Sequence, residues 1–425
     1  MRKLLFGLFC CSILTIGSCI KNDSPNNNTG PGPSILNISV PNGIVGDTIT
    51  INGSNFSTNP ANNTVQFNGT AAEVISSSAS SISVVVPAGA STGNITVSVN
   101  GLVSSNIEPF TVLPANVYSI GDGSMGQPFG VGVYFRNGTL TGIVSKSTGI
   151  VTLTGIYVSG QDIYVCGIID VNGITAAAYW KNGIETDLTN GTKAAGAWSI
   201  WVSGSDVYVA GGDNNGIEYW KNGNMVTVPV TGTFTQGSTY SVFVSGTDVY
   251  IAGTYIDGSS NQISAYWKNG VQVNLTGNAS SVNQIIVSGN DVYVAGQTYN
   301  NTTQNHAAAY WKNGIRVDLS DGTADIVTSG IYVNGIDVYI SGYQYGTTNA
   351  NPFYWLNGSK IELTPGPGSS YGIAGSGNNI YIGCSGVVSP GGISFGFWFN
   401  NTFQSMVIPS TLQLSQISGV FVQAP

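Results

Sequence analysis

The chain has 425 residues, enough for two or three domains, with 58 glycines and only 8% charged residues. A formal charge of −8 without any Lys/Arg cluster excludes the usual electrostatic footprint of a nucleic-acid-binding protein. Short runs of Val, Ile, Tyr and Thr between Gly, Asn and Ser predict an all-β protein, and no helical periodicity is sustained beyond the first twenty residues.

Arg2 and Lys3 precede the apolar run Leu4 to Ile16, which is too short for a permanent bilayer span and suits a secretory signal. Ile16-Gly17-Ser18-Cys19 resembles a bacterial lipobox. The resemblance implies a signal peptide at 1–18, lipidation of Cys19 and attachment to the outer membrane of a Gram-negative bacterium; an ordinary signal peptide cut nearby is the alternative. Loss of Arg2 and Lys3 would take the formal charge from −8 to −10. Residues 19–33 read as lipidated cysteine plus flexible tether, being rich in Asn, Pro and Gly. Lys21-Asn22-Asp23 partly resembles the charged export signals of surface-exposed lipoproteins, although it lacks their paired acids.

Residues 34–112 read as short alternating strands, among them Ile35–Val40, Thr48–Asn52, Thr64–Phe67, Ile82–Val86 and Asn94–Val99, which predicts an immunoglobulin-like sandwich. Pro41-Asn42-Gly43, the run Gly46 to Phe56, Val65 to Gly69, Val86-Pro87 and Gly93 to Val97 resemble the landmarks of an IPT/TIG domain. That resemblance implies a spacer or protein-contact module.

After a linker at 113–116, residues 117–425 carry seven copies of one unit. Tyr-Trp-Lys-Asn-Gly occurs at Tyr179, Tyr219, Tyr266 and Tyr310, with looser copies at Tyr134, Tyr354 and Phe397. The spacings of 45, 40, 47, 44, 44 and 43 residues fit four-stranded propeller blades. Phrases such as Val202–Gly211 supply strand A, a turn and strand B, and Tyr-Trp marks strand C before an Asn-Gly hairpin into D. Asp162, Asp206, Asp248 and Asp291 are expected to close the A–B turns by bonding their own backbone. Val117–Ile120 is a B strand without an A strand, and Gly419–Val422 an A strand without a B strand. Joined, they close a seven-bladed β-propeller. Period and phrasing resemble the kelch and NHL propellers, with departures such as the adjacent Tyr and Trp.

Trp180, Trp220, Trp267, Trp311 and Trp355 read as blade core, as does the strand A column Tyr157, Trp201, Phe243, Tyr332 and Phe421. Cys166 and Cys384 fall on blades that do not touch, so two buried thiols are expected rather than a disulfide. The B–C and D–A connections read as long polar loops sharing one rim, where binding residues concentrate. The candidates there are Trp198, Tyr240, Tyr255, Asp257, Asn283, Tyr299, Tyr343, Tyr345 and Tyr371, with Asp170, Asn172, Asp213, Asn214, Asn215 and Asn301 beside them.

No catalytic set stands out. His306 is the only histidine, which excludes a multi-histidine metal site, and no cofactor motif is present. Glu218 replaces the small residue found before Tyr-Trp in other blades, without an evident reason. The leading expectation is a monomeric, non-catalytic surface lipoprotein whose rim binds a glycan or another surface macromolecule, since Tyr, Trp, Asn and Asp suit sugar faces and hydroxyls. It resembles accessory lipoproteins of glycan-foraging Gram-negative bacteria. A protein-binding or adhesive propeller scaffold, with a cell-surface protein as partner, is the alternative. A glycan hydrolase or lyase using Asp170, Asp213 or Asp257 comes third.

Overall fold

The computed structural model describes residues 30–423 apart from 127–129, 146–148, 214, 347–349, 365–367 and 390–391. The expected signal peptide, Cys19, most of the tether and Asn214 lie outside the described residues. Among those described, no helix is long and apolar enough to cross a membrane.

Residues 34–112 form a sandwich of two sheets, as expected. One holds Ser34–Ile38, Thr48–Ser54, Ser81–Val85 and Val74–Ser77; the other is built around Asn63–Phe67, Gly93–Val99 and Glu108–Val112. Strand alternation turns Ile49, Ile51, Ile82 and Val84 of one sheet towards Val65, Phe67, Ile95 and Val97 of the other, all at most 1% exposed.

Seven four-stranded sheets follow among the described residues. Their inner strands A are Gln413–Gln423 (blade 1), Val151–Ser159, Gly196–Ser203, Phe234–Ser245, Ala279–Ser288, Ile326–Asn334 and Ser369–Ser376 (blade 7). Each touches the next, and the strands of blades 7 and 2 both touch that of blade 1, so the ring is closed. Closure takes the expected form: Gln413–Gln423 pairs antiparallel with the B strand Asn116–Ser124. Each C-strand tryptophan faces the preceding blade, as Trp180 does beside Tyr118 and Ile120, while Tyr179 faces the following one. The indole N–H groups of Trp267, Trp311 and Trp398 donate to the carbonyls of Pro229, Thr276 and Thr364 on the neighbouring blade. Burying these rings therefore strands no polar group. Cys166 and Cys384 are buried and unpaired, as expected.

The Tyr-Trp-Lys-Asn-Gly phrase has a second use on the rim of tight turns. Asn182 and Gly183 take φ of 51° and 81°, as a two-residue type I′ hairpin requires. The asparagine also reaches back: its Oδ1 accepts from the Ile163 N–H (2.8 Å), and its Nδ2 donates to Asp162 (2.7 Å). Lys181 stands 2.8 Å from the other Asp162 oxygen and over the Tyr164 ring. The clasp repeats at Asp206/Lys221/Asn222, Asp248/Lys268/Asn269 and Asp291/Lys312/Asn313. The turn aspartates thus bind the neighbouring hairpin, where self-bonding was expected, because the Asn-Gly turn delivers a lysine and an amide beside them.

Blade 1 lacks an A–B turn, since its A and B strands come from distant parts of the chain, and so it lacks that aspartate. The sandwich supplies one. Asp47 accepts from Arg136 Nη2 (3.1 Å) and from Asn137 Nδ2 (3.2 Å), while Asn137 Oδ1 accepts from the Val117 N–H (2.9 Å). Asn116 Oδ1 accepts from both of the same partners. Ile44, beside this carboxylate, packs against the cluster of Leu113, Val117 and Met406. The sandwich is therefore docked on the tight-turn rim.

Candidate ligand-binding site

The B–C connections are mostly extended hairpins, not the long loops expected. Asp162–Val171 and Ile174–Lys181 are separated only by Asn172-Gly173, and Tyr255, Tyr299, Tyr343 and Tyr345 lie within B strands. Strand A can follow such long partners because each copy contains a bulge. Pairing slips at Leu153/Gly155, Ala197/Ser199, Thr239/Ser241, Val282/Gln284, Thr328/Gly330 and Ser370/Ile373, and opposite Ile120/Gly121 in blade 1. The extra residue is Thr154, Trp198, Tyr240, Asn283, Ser329, Tyr371 (with Gly372) and Ser418 respectively. An extra residue bends its strand and re-aims its side chain. All seven are half-buried and line one axial cavity of about 600 Å³.

Three residues further along, Tyr157, Trp201, Phe243, Ile286, Tyr332, Ala374 and Phe421 form a second tier of the same cavity. The aromatic column Tyr157, Trp201, Phe243, Tyr332 and Phe421 packs against the blade cores as expected, but it is only partly buried and also lines the cavity. Strand A is innermost, so these side chains face the axis. Phe421, Tyr157, Trp201 and Phe243 form a continuous arc, with successive ring centroids 5.0, 4.7 and 4.2 Å apart. Among the described lining residues there is no Asp, Glu, Lys, Arg or His.

The small polar bulge residues tie blade to blade. Thr154 Oγ1 donates to the Ala197 carbonyl (2.6 Å), Ser418 Oγ to the Leu153 carbonyl (2.7 Å), and Thr328 Oγ1 to Asn283 Oδ1 (2.9 Å). Ser329 lies between Ser341 and Ser370 at 2.8 and 3.1 Å. Trp198, Tyr240 and Tyr371 provide aromatic walls at the mouth instead. Tyr343 joins them, its ring 6.4 Å from that of Tyr371, and burial pushes its phenol well above the usual range.

Five of the nine candidate residues, Trp198, Tyr240, Asn283, Tyr343 and Tyr371, are thus brought to one cavity. Tyr345 and Tyr299 lie outside it on the rim. Tyr255 is only 4% exposed, packs against Phe234 and Trp267, and accepts from Gln272 Nε2 at 2.8 Å. Asp257 closes its own hairpin, accepting from the Ser259 and Asn261 N–H groups, both at 2.8 Å; these bonds hold its carboxyl below the usual range. Asp170 and Asp213 likewise bond the N–H groups of Gly173 and Asn215. Glu218 finds its reason in space left by Gly212, whose missing Cβ would stand 3.0 Å from Glu218 Oε1, and that oxygen accepts from the Asp213 N–H at 3.3 Å. Sequence reading missed Thr154, Ser329 and Ser418. Their signal is positional: each of these seven bulge residues stands five places before the last residue of its A strand.

Among the described residues no group of three His, Cys, Asp or Glu could hold a metal ion.

Residues 33–112 match the IPT/TIG domain family. An auxiliary nutrient binding protein from Bacteroides thetaiotaomicron is similar in structure, at 10% identity over 93% of this chain and 93% of that one, with a TM-score of 0.32. The Aleuria aurantia lectin, a six-bladed propeller with fucose recognition, is 12% identical over 61% of this chain and 96% of its own, with a TM-score of 0.35. An acylaminoacyl peptidase from Pyrococcus horikoshii is 12% identical over 69% and 51%, with a TM-score of 0.45. No curated protein matches the chain.

Proposed function

We propose that this is a non-catalytic lipoprotein of the outer membrane, facing outward, whose propeller mouth binds a neutral glycan while the IPT/TIG domain serves as spacer. The observation that carries the reading is the bulge ring, which sets Trp198, Tyr240 and Tyr371 around an uncharged cavity of about 600 Å³. A sugar presents C–H faces that pack on aromatic rings and hydroxyls that exchange hydrogen bonds with neutral groups. A charged ligand would lose its hydration there and meet no opposite charge. The volume is that of an ordinary small-molecule site. The lipobox-like Ile16–Cys19 supports the anchor.

The test is retention of the chain, without residues 1–19, on immobilised neutral and acidic polysaccharides. Retention on a neutral one is expected, and Trp198→Ala should weaken it about tenfold, in keeping with the loss of one aromatic stacking contact. Recovery of a protein partner with no polysaccharide retained would overturn the reading. For the address, protease treatment of intact cells should remove the propeller; its survival there would mean an inward-facing anchor.

A further inference from the structure

A strip of side chains, joined at one step through the backbone, leads from the mouth outward over blades 5 and 6. It begins inside the cavity with Tyr371 and Tyr343. Tyr345 lies two residues along the same strand and hence on the same face. Its ring is edge-on to Tyr343 at 5.4 Å, with the two hydroxyls 3.4 Å apart. The Tyr345 N–H donates to the Asp325 carbonyl at 3.1 Å. Asp325 Oδ1 in turn accepts from the His306 N–H at 2.9 Å and lies 3.0 Å from Nδ1 of the same residue. The His306 ring then meets Tyr299 edge-on at 5.5 Å.

Tyr345 and Tyr299 are 55% and 42% exposed, and the side chain of half-buried His306 is 44% exposed, quite unlike the buried blade aromatics. No packing requirement accounts for three exposed rings in a row, yet neighbours hold each in place, which lowers the ordering cost of binding. In the tautomer that donates Nδ1–H to Asp325, Nε2 is left as an acceptor for a hydroxyl.

We propose that this strip is an outer subsite for the sugar units that follow the one in the mouth, so the preferred ligand is an oligosaccharide chain and not a single terminal sugar. The proposal rests on the neutral-glycan reading of the mouth. The continuity of the strip with the cavity, with ring steps of 6.4 and 5.4 Å, supports one ligand running across both. Its walls are faces and hydroxyls throughout, apart from the single His306–Asp325 pair.

The test is calorimetric titration of the chain, without residues 1–19, using malto-, cello- and manno-oligosaccharide ladders of increasing length. Affinity for the ladder that binds should rise at least tenfold with length before levelling off. Tyr345→Ala and Tyr299→Ala should each remove about fivefold or more of that gain, with unchanged binding of the shortest bound member and an unchanged unfolding midpoint. Affinity independent of length, or equal losses on short and long members, would overturn the outer subsite and leave the mouth reading standing. Failure of every ladder, together with failure of the polysaccharide screen, would remove both.

Discussion

Asn137 and Asn182 occupy the same place in the same turn, with φ of 50° and 51°, but the first is 5% exposed and the second open to solvent. Glycine accepts this left-handed φ without strain, so a glycine replacement removes the side-chain bonds alone. The added flexibility of the unfolded chain is common to both sites and cancels in their difference. At Asn137 the change leaves the buried Val117 N–H without its partner and deprives Asp47 of a donor. An unsatisfied buried group costs about 1–3 kcal/mol, and a bond to a carboxylate adds about 1 kcal/mol or more. At Asn182 water replaces what is lost, so about 1 kcal/mol or less is expected. Asn137→Gly should therefore destabilise the propeller by about 2–4 kcal/mol, clearly more than Asn182→Gly. Urea unfolding followed by tryptophan fluorescence reads this directly, because all eight tryptophans lie in the propeller and none in the sandwich. Equal shifts of the two midpoints would refute the idea that Asp47 completes a buried clasp.

Hydrogen bonds to lysine, first of all, hold Asp162, Asp206, Asp248 and Asp291 below the usual carboxylate range. A depressed folded pKa gives stability that is present above the unfolded value, about 4, and is lost as pH falls through the folded value. The urea midpoint contribution of the clasps should thus survive to about pH 5 and vanish in stronger acid; Asp→Asn changes at all four that leave the acid profile untouched would contradict it. Glu218 has the opposite sign: burial raises its pKa, so stability falls as pH rises through the interval between unfolded and folded values. Glu218→Gln is expected to raise the midpoint at pH 7 and to leave it unchanged at pH 4, and a lowered midpoint at pH 7 would count against that account. Burial pushes the Cys166 thiol up to about 12 and raises that of Cys384 as well. A thiol-reactive chromophore should label neither in the native chain without residues 1–19 and both after denaturation; fast native labelling would show one of them to be accessible.

The blade count and the closure of the ring were legible because both depend on one-dimensional signals, a period and two leftover strands. The bulges were not. An extra residue is a property of two paired strands, and Thr154, Ser329 and Ser418 look in sequence like ordinary strand residues. For the same reason the cavity-facing side of the Tyr157, Trp201 and Phe243 column was not legible: alternation says which side a residue faces, but not whether another blade covers it completely. Tyr255 failed in the opposite direction, since the hairpin that carries it is long enough for its ring to be covered by Phe234 and Trp267. Asp47 was legible as part of an IPT/TIG phrase, but its role in the propeller needed the docking of the two domains.

Val117 pairs with Val422, so the strand that seals blade 1 comes later in sequence than every other strand of the ring. During synthesis six blades can assemble from contacts among near neighbours, whereas the seventh must wait for a partner some three hundred residues downstream. Contacts so remote in sequence form slowly. Until residues 413–423 arrive, the emerging chain is an arc with the bare B strand Asn116–Ser124 at one end. Such an edge can recruit the corresponding strand of another copy. The vulnerable period of this protein is therefore its birth, when crowding of nascent chains favours such recruitment.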